Sequence, residues 1–119
     1  MRIIKNGINE RYIVYKLYDD VKIYIGKTTL PIYMRINSHR HGKLRADKYF
    51  SEIGWDNVTF EIIDWSYDKK SLLMKEDNII GQYYMMHKEK LLNKNSTNYS
   101  YFHMIPLDFE KLARNYFEV

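Results

Sequence analysis

Three stretches of the chain have the apolar patterns of strands: the first is a run rich in β-branched and aromatic residues, and the other two alternate between apolar and polar positions. The first two are RYIVYKLY at 11–18 and VKIYIG at 21–26, and the aspartate pair between them predicts the turn of a β-hairpin. The third is NVTFEIIDW at 57–65. All three are rich in β-branched and aromatic residues, so each predicts a strand.

Three other stretches have a helical pattern. The first begins at Pro31, where the missing N–H costs nothing, and runs to about His41. A shorter helix is predicted within 43–55, and a long one from about 69 to 90. A loop and one short terminal helix are predicted for 91–119. The order β-β-α-α-β-α predicts a small α/β or α+β domain.

The composition favours a single domain with an anionic partner. The chain has 119 residues, a net charge of +4 and no cysteine. Residues 96–119 carry two cations against three carboxylates, so the basic excess of +5 lies in residues 1–95. Without cysteine there is no disulfide, which favours a reducing, intracellular setting: the cytoplasm, or the nucleus for a eukaryotic or viral protein. No run of about 18 apolar residues occurs, so neither a membrane span nor a signal peptide is expected.

Gly26-Lys27-Thr28 follows a predicted strand and precedes a predicted helix, as in a nucleotide-binding P-loop. The P-loop pattern requires a further glycine five residues before Gly26, and that position is Val21. The residues that would wrap a nucleotide form a predicted strand instead. The stretch therefore does not predict a nucleotide pocket, and the phosphate of a nucleic acid remains the alternative.

Two polar side chains share one face of the helix after Pro31. Arg35 and His39 are four residues apart, at the edge of the apolar stripe made by Ile32 and Ile36. This position predicts partly buried side chains with their polar ends at a groove. A surface pair with buried aliphatic stems is the other interpretation.

Glu76 lies in the centre of the apolar face of the long helix. Leu72 and Ile80 lie about 40° to either side of it, and Tyr83 about 20° away, at 100° per residue. A carboxylate there is costly unless it is paired or binds a metal. We therefore expect either a buried ion pair, for which Arg35 is a candidate, or a ligand for a hard cation such as Mg²⁺.

Other catalytic constellations are missing from the sequence. The four histidines have no zinc-binding spacing, and no Gly-x-Ser-x-Gly turn occurs. Tyrosine, arginine, histidine and one glutamate remain. That set suits phosphodiester hydrolysis with one metal ion, in which arginine stabilises charge on phosphorus and tyrosine positions or deprotonates water.

Several of these positions together resemble the GIY-YIG nuclease family. YIG at 24–26 follows IVY at 13–15, and Arg35 lies eleven residues after Tyr24, where the family has its catalytic arginine. Ile13 stands where the family name has glycine, which leaves the tyrosine in place.

The rest of the chain extends the resemblance to about residue 95. His39 matches the histidine of many members, and IGWDNVTFEII at 53–63 is similar to the segment leading into the third strand. Glu76 matches the glutamate of the last core helix. LLNKN resembles the closing asparagine segment, with Asn93 a better match than Asn95.

The resemblance implies a three-stranded antiparallel sheet flanked by helices, with residues 1–95 as catalytic domain and 96–119 as an extension. It implies an endodeoxyribonuclease that uses one Mg²⁺ (or Mn²⁺) on double-stranded or branched DNA. The family's usual appended DNA-binding domain has no counterpart in these residues. Monomer and homodimer both remain open.

The resemblance also implies roles for particular residues. Glu76 would bind the metal, Arg35 would stabilise the transition state, and His39 would support the nucleophile's network. Either Tyr15 or Tyr24 would be the general base, with Tyr15 preferred. The residues predicted to contact phosphate or DNA are Gly26, Lys27, Arg40 and Asn93.

Two other classes of function are compatible with the sequence. One is a nucleic-acid-binding module of the same fold that does not cut. The other is an interaction protein whose contact surface is the apolar segment YSYFHMIPLDF at 99–109.

Overall fold

The computed structural model of the protein describes residues 1–8 and 11–93. Four strands lie in one sheet: β1 (Arg2–Ile4), β2 (Tyr12–Tyr18), β3 (Ile23–Thr28) and β4 (Thr59–Ser66). Their order across the sheet is β1-β4-β2-β3. β2 is antiparallel to both neighbours, whereas β1 runs parallel to β4.

The hairpin and the third strand predicted from the sequence are confirmed as β2, β3 and β4. The prediction of three strands missed β1. That strand is three residues long, and its first two residues are exposed. A segment this short carries no measurable alternation, and only its pairing with β4 makes it a strand.

The three predicted helices are present as α1 (Ile32–Arg40), α2 (Arg45–Ile53) and α3 (Lys69–His87). α3 ends earlier than predicted, and Lys88–Lys90 forms a single 3-10 turn; another lies at Trp55–Asn57. Among the helices of the described residues, none is both long and apolar enough to span a bilayer.

The helices cover both faces of the sheet. α1 and α2 pack on one face, around a cluster that includes Ile13, Tyr15, Ile36, Phe50 and Phe60. α3 packs on the other face, around a second cluster that includes Val14, Ile25, Leu72, Ile79 and Ile80. The alternation along β2 and β3 therefore sends successive side chains to different helices.

A β-bulge in β4 changes which of its side chains face α1 and α2. Val14 pairs with Asp64, but the next residue, Tyr15, pairs with Ile62. One residue of β4 is thus unmatched, and the alternation shifts by one. As a result Trp65 packs against the same cluster as Ile62, although strict alternation would separate them.

The chain after α3 returns along the exposed edge of β3. The N–H of Leu92 donates to the carbonyl of Ile23 at 2.7 Å. The amide of Asn93 accepts from the N–H of Ile25 at 2.8 Å and donates to its carbonyl at 2.7 Å. This side chain thus satisfies the strand edge as a neighbouring strand would. The predicted 96–119 extension, and Asn95, lie outside the described residues.

Candidate active site

Tyr15 is completely buried in the middle of β2, and Gly26 makes room for its ring. The two residues face each other across the hairpin. A Cβ atom at position 26 would lie 2.5 Å from Cζ and Oη of Tyr15. On its other side the ring stacks on Phe60, with centroids 4.6 Å apart. Gly26 therefore supports a buried tyrosine, and in this structure that is its visible role.

The Tyr15 hydroxyl is held by two side chains of α1. Nε of Arg35 donates to it at 2.7 Å, and Nε2 of His39 lies 2.5 Å from it. The spacing of four residues places both on one face, as the sequence predicted. Arg35 is half-buried, but His39 is only 2% exposed, so it lies deeper than the predicted groove edge.

Asp47 of α2 extends this arrangement, and the sequence analysis did not identify it. Its Oδ1 lies 2.5 Å from Nδ1 of His39, and its Oδ2 accepts from the N–H of Leu44 at 3.1 Å. Burial lowers the pKa of His39 from its usual value, although the Asp47 carboxylate opposes this shift. The signal that was overlooked is a carboxylate on the apolar face of a short helix, beside Ala46 and Phe50.

Tyr24 lies beside this group on β3 and is only half-buried. Its ring meets the His39 ring edge to face, with centroids 5.5 Å apart. Burial raises the pKa of both Tyr15 and Tyr24, whereas the positive charge of Arg35 opposes the shift in each. Of the two tyrosines in the pattern, Tyr24 is the one with a surface that solvent can reach.

Glu76 is mostly buried on α3, as its place in the apolar stripe predicted. Its side chain is 12% exposed, and Oε1 pairs with Nζ of Lys27 at 3.1 Å. Burial raises the pKa of Glu76, and Lys27 acts against that shift. The ion pair expected with Arg35 is therefore made with Lys27 instead, because Lys27 points from β3 towards α3.

Two groups of side chains lie on opposite faces of the sheet: the group around Tyr15 and Arg35 on the α1–α2 face, and the Lys27–Glu76 pair on the α3 face. They come close to each other at the edge formed by β3. The charge of Glu76 raises the pKa of Tyr24 and of Tyr15, and the charge of Arg35 lowers that of Glu76. These effects require the side chains to be near each other. Tyr15, Tyr24, Lys27, Arg35, His39, Asp47 and Glu76 thus form one electrostatic cluster, which we call the edge cluster.

Two of the residues predicted to contact phosphate lie outside the edge cluster. Arg40 is exposed on the other side of α1, where it lines a cavity of about 470 Å³ together with Met1 and Lys5. Asn93 uses both ends of its amide on the backbone of Ile25. Its contacts in this structure are those of a clamp on the edge of β3.

Of the two carboxylates in the edge cluster, Asp47 is bonded to His39 and Leu44, which leaves Glu76 as the candidate ligand for a metal ion. Among the described residues, no three His, Asp or Glu side chains come together as a ready-made cage. Glu76 with its single buried carboxylate is compatible with Mg²⁺, which keeps several waters and often takes only one or two protein carboxylates plus phosphate oxygens. It is a poor match for Zn²⁺, which takes at least three protein ligands.

The model of one protein family, the GIY-YIG catalytic domain, matches residues 11–90 of the chain. This range contains all seven residues of the edge cluster. No curated protein and no solved structure matches the chain.

Proposed function

The chain belongs to the GIY-YIG family, whose domain is of nuclease type and acts on DNA, and from this we propose that it is an endonuclease that hydrolyses DNA phosphodiester bonds with one divalent metal ion. The observation that carries the proposal is the edge cluster. An arginine, a half-buried tyrosine and a buried glutamate on three different elements interact electrostatically at one sheet edge.

Arg35 is the residue we assign to the charge that develops on phosphorus. Its Nε donates to the Tyr15 hydroxyl, and a further side-chain hydrogen bond with Tyr24 helps to fix the guanidinium. We assign its remaining N–H groups to a phosphate. A donor held in place before the substrate arrives costs no reorganisation during the reaction. The half-buried position of Arg35 strengthens the interaction relative to one in bulk water.

Tyr24 is the tyrosine we assign to the attacking water. Tyr15 was the preferred base from the sequence, but its ring is fully buried and its hydroxyl already has two partners. Tyr24 is within reach of solvent, and the charge of Arg35 favours loss of its proton against the effect of burial on its pKa. Tyr15 then serves as the link between Arg35 and His39.

Glu76 is the residue we assign to the metal, Mg²⁺ or Mn²⁺. When bound, the ion would supply Lewis-acid stabilisation of phosphate and leaving-group oxygens. Without it, the Lys27 ammonium pairs with the carboxylate and acts against the rise that burial causes in the pKa of Glu76.

A strongly basic segment supports DNA as the substrate. Residues 40–48, RHGKLRADK, hold four cations against one carboxylate, a net charge of +3, while the whole chain has +4. The carboxylate is the buried Asp47, whereas Arg40, His41, Lys43, Arg45 and Lys48 are exposed. None of these five side chains takes part in an ion pair within the described residues 1–8 and 11–93. We assign this basic segment, next to His39, to the DNA backbone.

The proposal predicts that Glu76→Ala abolishes cutting. Incubation of the wild type with supercoiled plasmid and Mg²⁺ should give nicked or linear DNA, and loss of the metal ligand should reduce the rate by at least about a hundredfold. Glu89→Ala, which removes an exposed carboxylate outside the cluster, is the matched control and should cut normally.

Equal activity of wild type and Glu76→Ala on duplex, nicked and branched DNA would contradict the proposal. Tight, salt-dependent binding without turnover under any metal would instead support a non-catalytic nucleic-acid-binding module.

A further inference from the structure

The hydrogen bonds of the edge cluster form a chain of four side chains. It runs from Asp47 to His39, from His39 to Tyr15 and from Tyr15 to Arg35, with distances of 2.5, 2.5 and 2.7 Å. The first three side chains are almost inaccessible to water. The protons in this chain must therefore be shared among the side chains themselves.

Which group donates in each hydrogen bond follows from Asp47, the side chain at one end of this series. An ionised carboxylate only accepts, and Asp47 accepts from both Leu44 N–H and Nδ1 of His39. Nδ1 therefore carries the proton of a neutral imidazole, and Nε2 is an acceptor. The Tyr15 hydroxyl then donates to Nε2 and turns a lone pair towards the N–H of Arg35.

We propose that Asp47 is a positioning residue for Arg35, acting through the tautomer of His39 and the orientation of the Tyr15 hydroxyl. With Nδ1 protonated, the Tyr15 oxygen is a good acceptor for Arg35. With Nε2 protonated, Nε2–H and Arg35 would both donate to the same oxygen, and the Tyr15 proton would have no partner in the chain. The link to catalysis rests on the proposed function, but the tautomer does not.

The surroundings of Asp47 supply both a hydrogen-bond donor and space for its carboxylate. Leu44 offers its N–H at the start of α2, and Gly42 leaves space, since a Cβ atom at position 42 would overlap Oδ2 of Asp47. The carboxylate is thus held on two sides. Ordinary capping of α2 would explain the bond to Leu44 but not the second bond to a buried histidine.

Asp47→Asn tests the proposal because the N–H of Leu44 fixes the orientation of the new amide group. The amide oxygen must face the N–H of Leu44, since the alternative sets two donors against each other. The amide NH₂ then faces Nδ1 of His39 and forces Nδ1 to accept. The variant should therefore hold His39 as the Nε2–H tautomer, with nearly the same shape as the wild type.

Adding Leu44→Pro should reverse the change. Leu44 has a φ of −64°, which proline adopts without strain, and proline has no N–H. In Leu44→Pro/Asp47→Asn the amide oxygen is released to accept from Nδ1, so the wild-type tautomer should return.

The direct measurement is the pair of ¹⁵N shifts of His39 in histidine-labelled protein at pH 7.5, assigned with His39→Gln. We expect Nδ1–H in the wild type, Nε2–H in Asp47→Asn and Nδ1–H again in the double variant. Asp20→Asn removes an exposed carboxylate and should leave the shifts unchanged. Nε2–H in the wild type, or no change in a folded Asp47→Asn, would overturn the proposal; the wild-type result decides even if the variant does not fold.

Plasmid nicking measures the consequence. We expect the rate at saturating DNA to fall about tenfold to a hundredfold in Asp47→Asn, with unchanged DNA affinity, and to recover in the double variant. An unchanged rate with a reversed tautomer would overturn the role in positioning Arg35. If the wild type itself does not cut DNA, the proposed function fails, whereas the ¹⁵N shifts still decide the tautomer.

Discussion

Position 26 determines where the Tyr15 ring can lie. The two residues are direct partners across the β-hairpin, and the ring covers the space that any side chain at 26 would occupy. Close approach of a neighbouring group is one of the few reasons for glycine inside a strand. The hydroxyl can reach Arg35 and His39 only because the ring occupies that space.

Gly26→Ala should therefore destabilise the protein by about 1–3 kcal/mol, the usual cost of overpacking a core. The measurement is the free energy of unfolding in urea. In Tyr15→Leu/Gly26→Ala the ring atoms that meet the new Cβ are gone, so the double variant should lose less than the sum of the single losses. Strict additivity would rule out the contact as the cause.

Burial distinguishes Tyr15 from Tyr24, although the sequence pattern does not. Tyr15 ends the IVY motif and Tyr24 begins the YIG motif, and nothing in their spacing distinguishes a buried link from a group facing solvent. In the folded chain Tyr15 contacts Phe60, Arg35 and His39 and reaches no water. This difference arises from neighbours on two other elements, β4 and α1, so no local pattern encodes it.

The basic segment connects α1 and α2, and this position places its exposed charges next to the edge cluster. Since Asp47 is its only carboxylate and is buried against His39, the exposed charges of the segment are all positive. An exposed row of cations next to a site for DNA neutralises phosphates and releases counterions.

Lys43→Gln/Arg45→Gln should weaken DNA binding and make it less dependent on salt. The slope of log K against log salt concentration should become shallower by about 0.9 for each cation that contacts a phosphate. Lys69→Gln/Lys70→Gln removes two exposed lysines at the start of α3 and serves as the control. If both variants change the slope equally, the basic segment has no special role.

Elements with a local sequence pattern were predicted, and elements without one were not. The apolar patterns of β2 and β3 and Pro31 at the start of α1 are local properties, and among the three helices the 3.6-residue period is strong only in α2. β1 has three residues and exists through its pairing with β4. The β4 bulge likewise exists only as a mismatch between two strands, and it brings Trp65 to the α1–α2 face.

At the scale of the whole molecule, helices cover both faces of the sheet, and titratable side chains from the two faces come close to each other at the β3 edge. Lys27 and Tyr24 belong to the same strand but point to opposite faces, towards Glu76 on α3 and towards His39 on α1. Burial on both sides leaves titratable groups with shifted pKa values, and these shifts make stability depend on pH.

His39 should make the protein less stable in mild acid. Its pKa is lowered on folding from its ordinary value of 6.5, so below pH 6.5 the unfolded chain binds more protons than the folded one. The urea midpoint should therefore fall as pH decreases from 7.5 to 5.5. Glu76 acts in the opposite direction, since its pKa is raised on folding and its protonation in acid relieves a cost.

His39→Gln should remove most of this dependence, whereas His41→Gln, at an exposed position, should keep it. A wild-type midpoint that stays constant or rises over the same interval would contradict a buried neutral His39.

From the sequence by itself came the order of the main elements, the family resemblance through YIG, Arg35 and Glu76, and the burial of Glu76. These follow from period and spacing, which a local segment carries. Only the tertiary structure decided that Lys27 pairs with Glu76, that Asn93 clamps the edge of β3, and that Asp47 ends a chain leading to Arg35. Each of these joins elements far apart along the chain, and their meeting depends on how the sheet and helices pack.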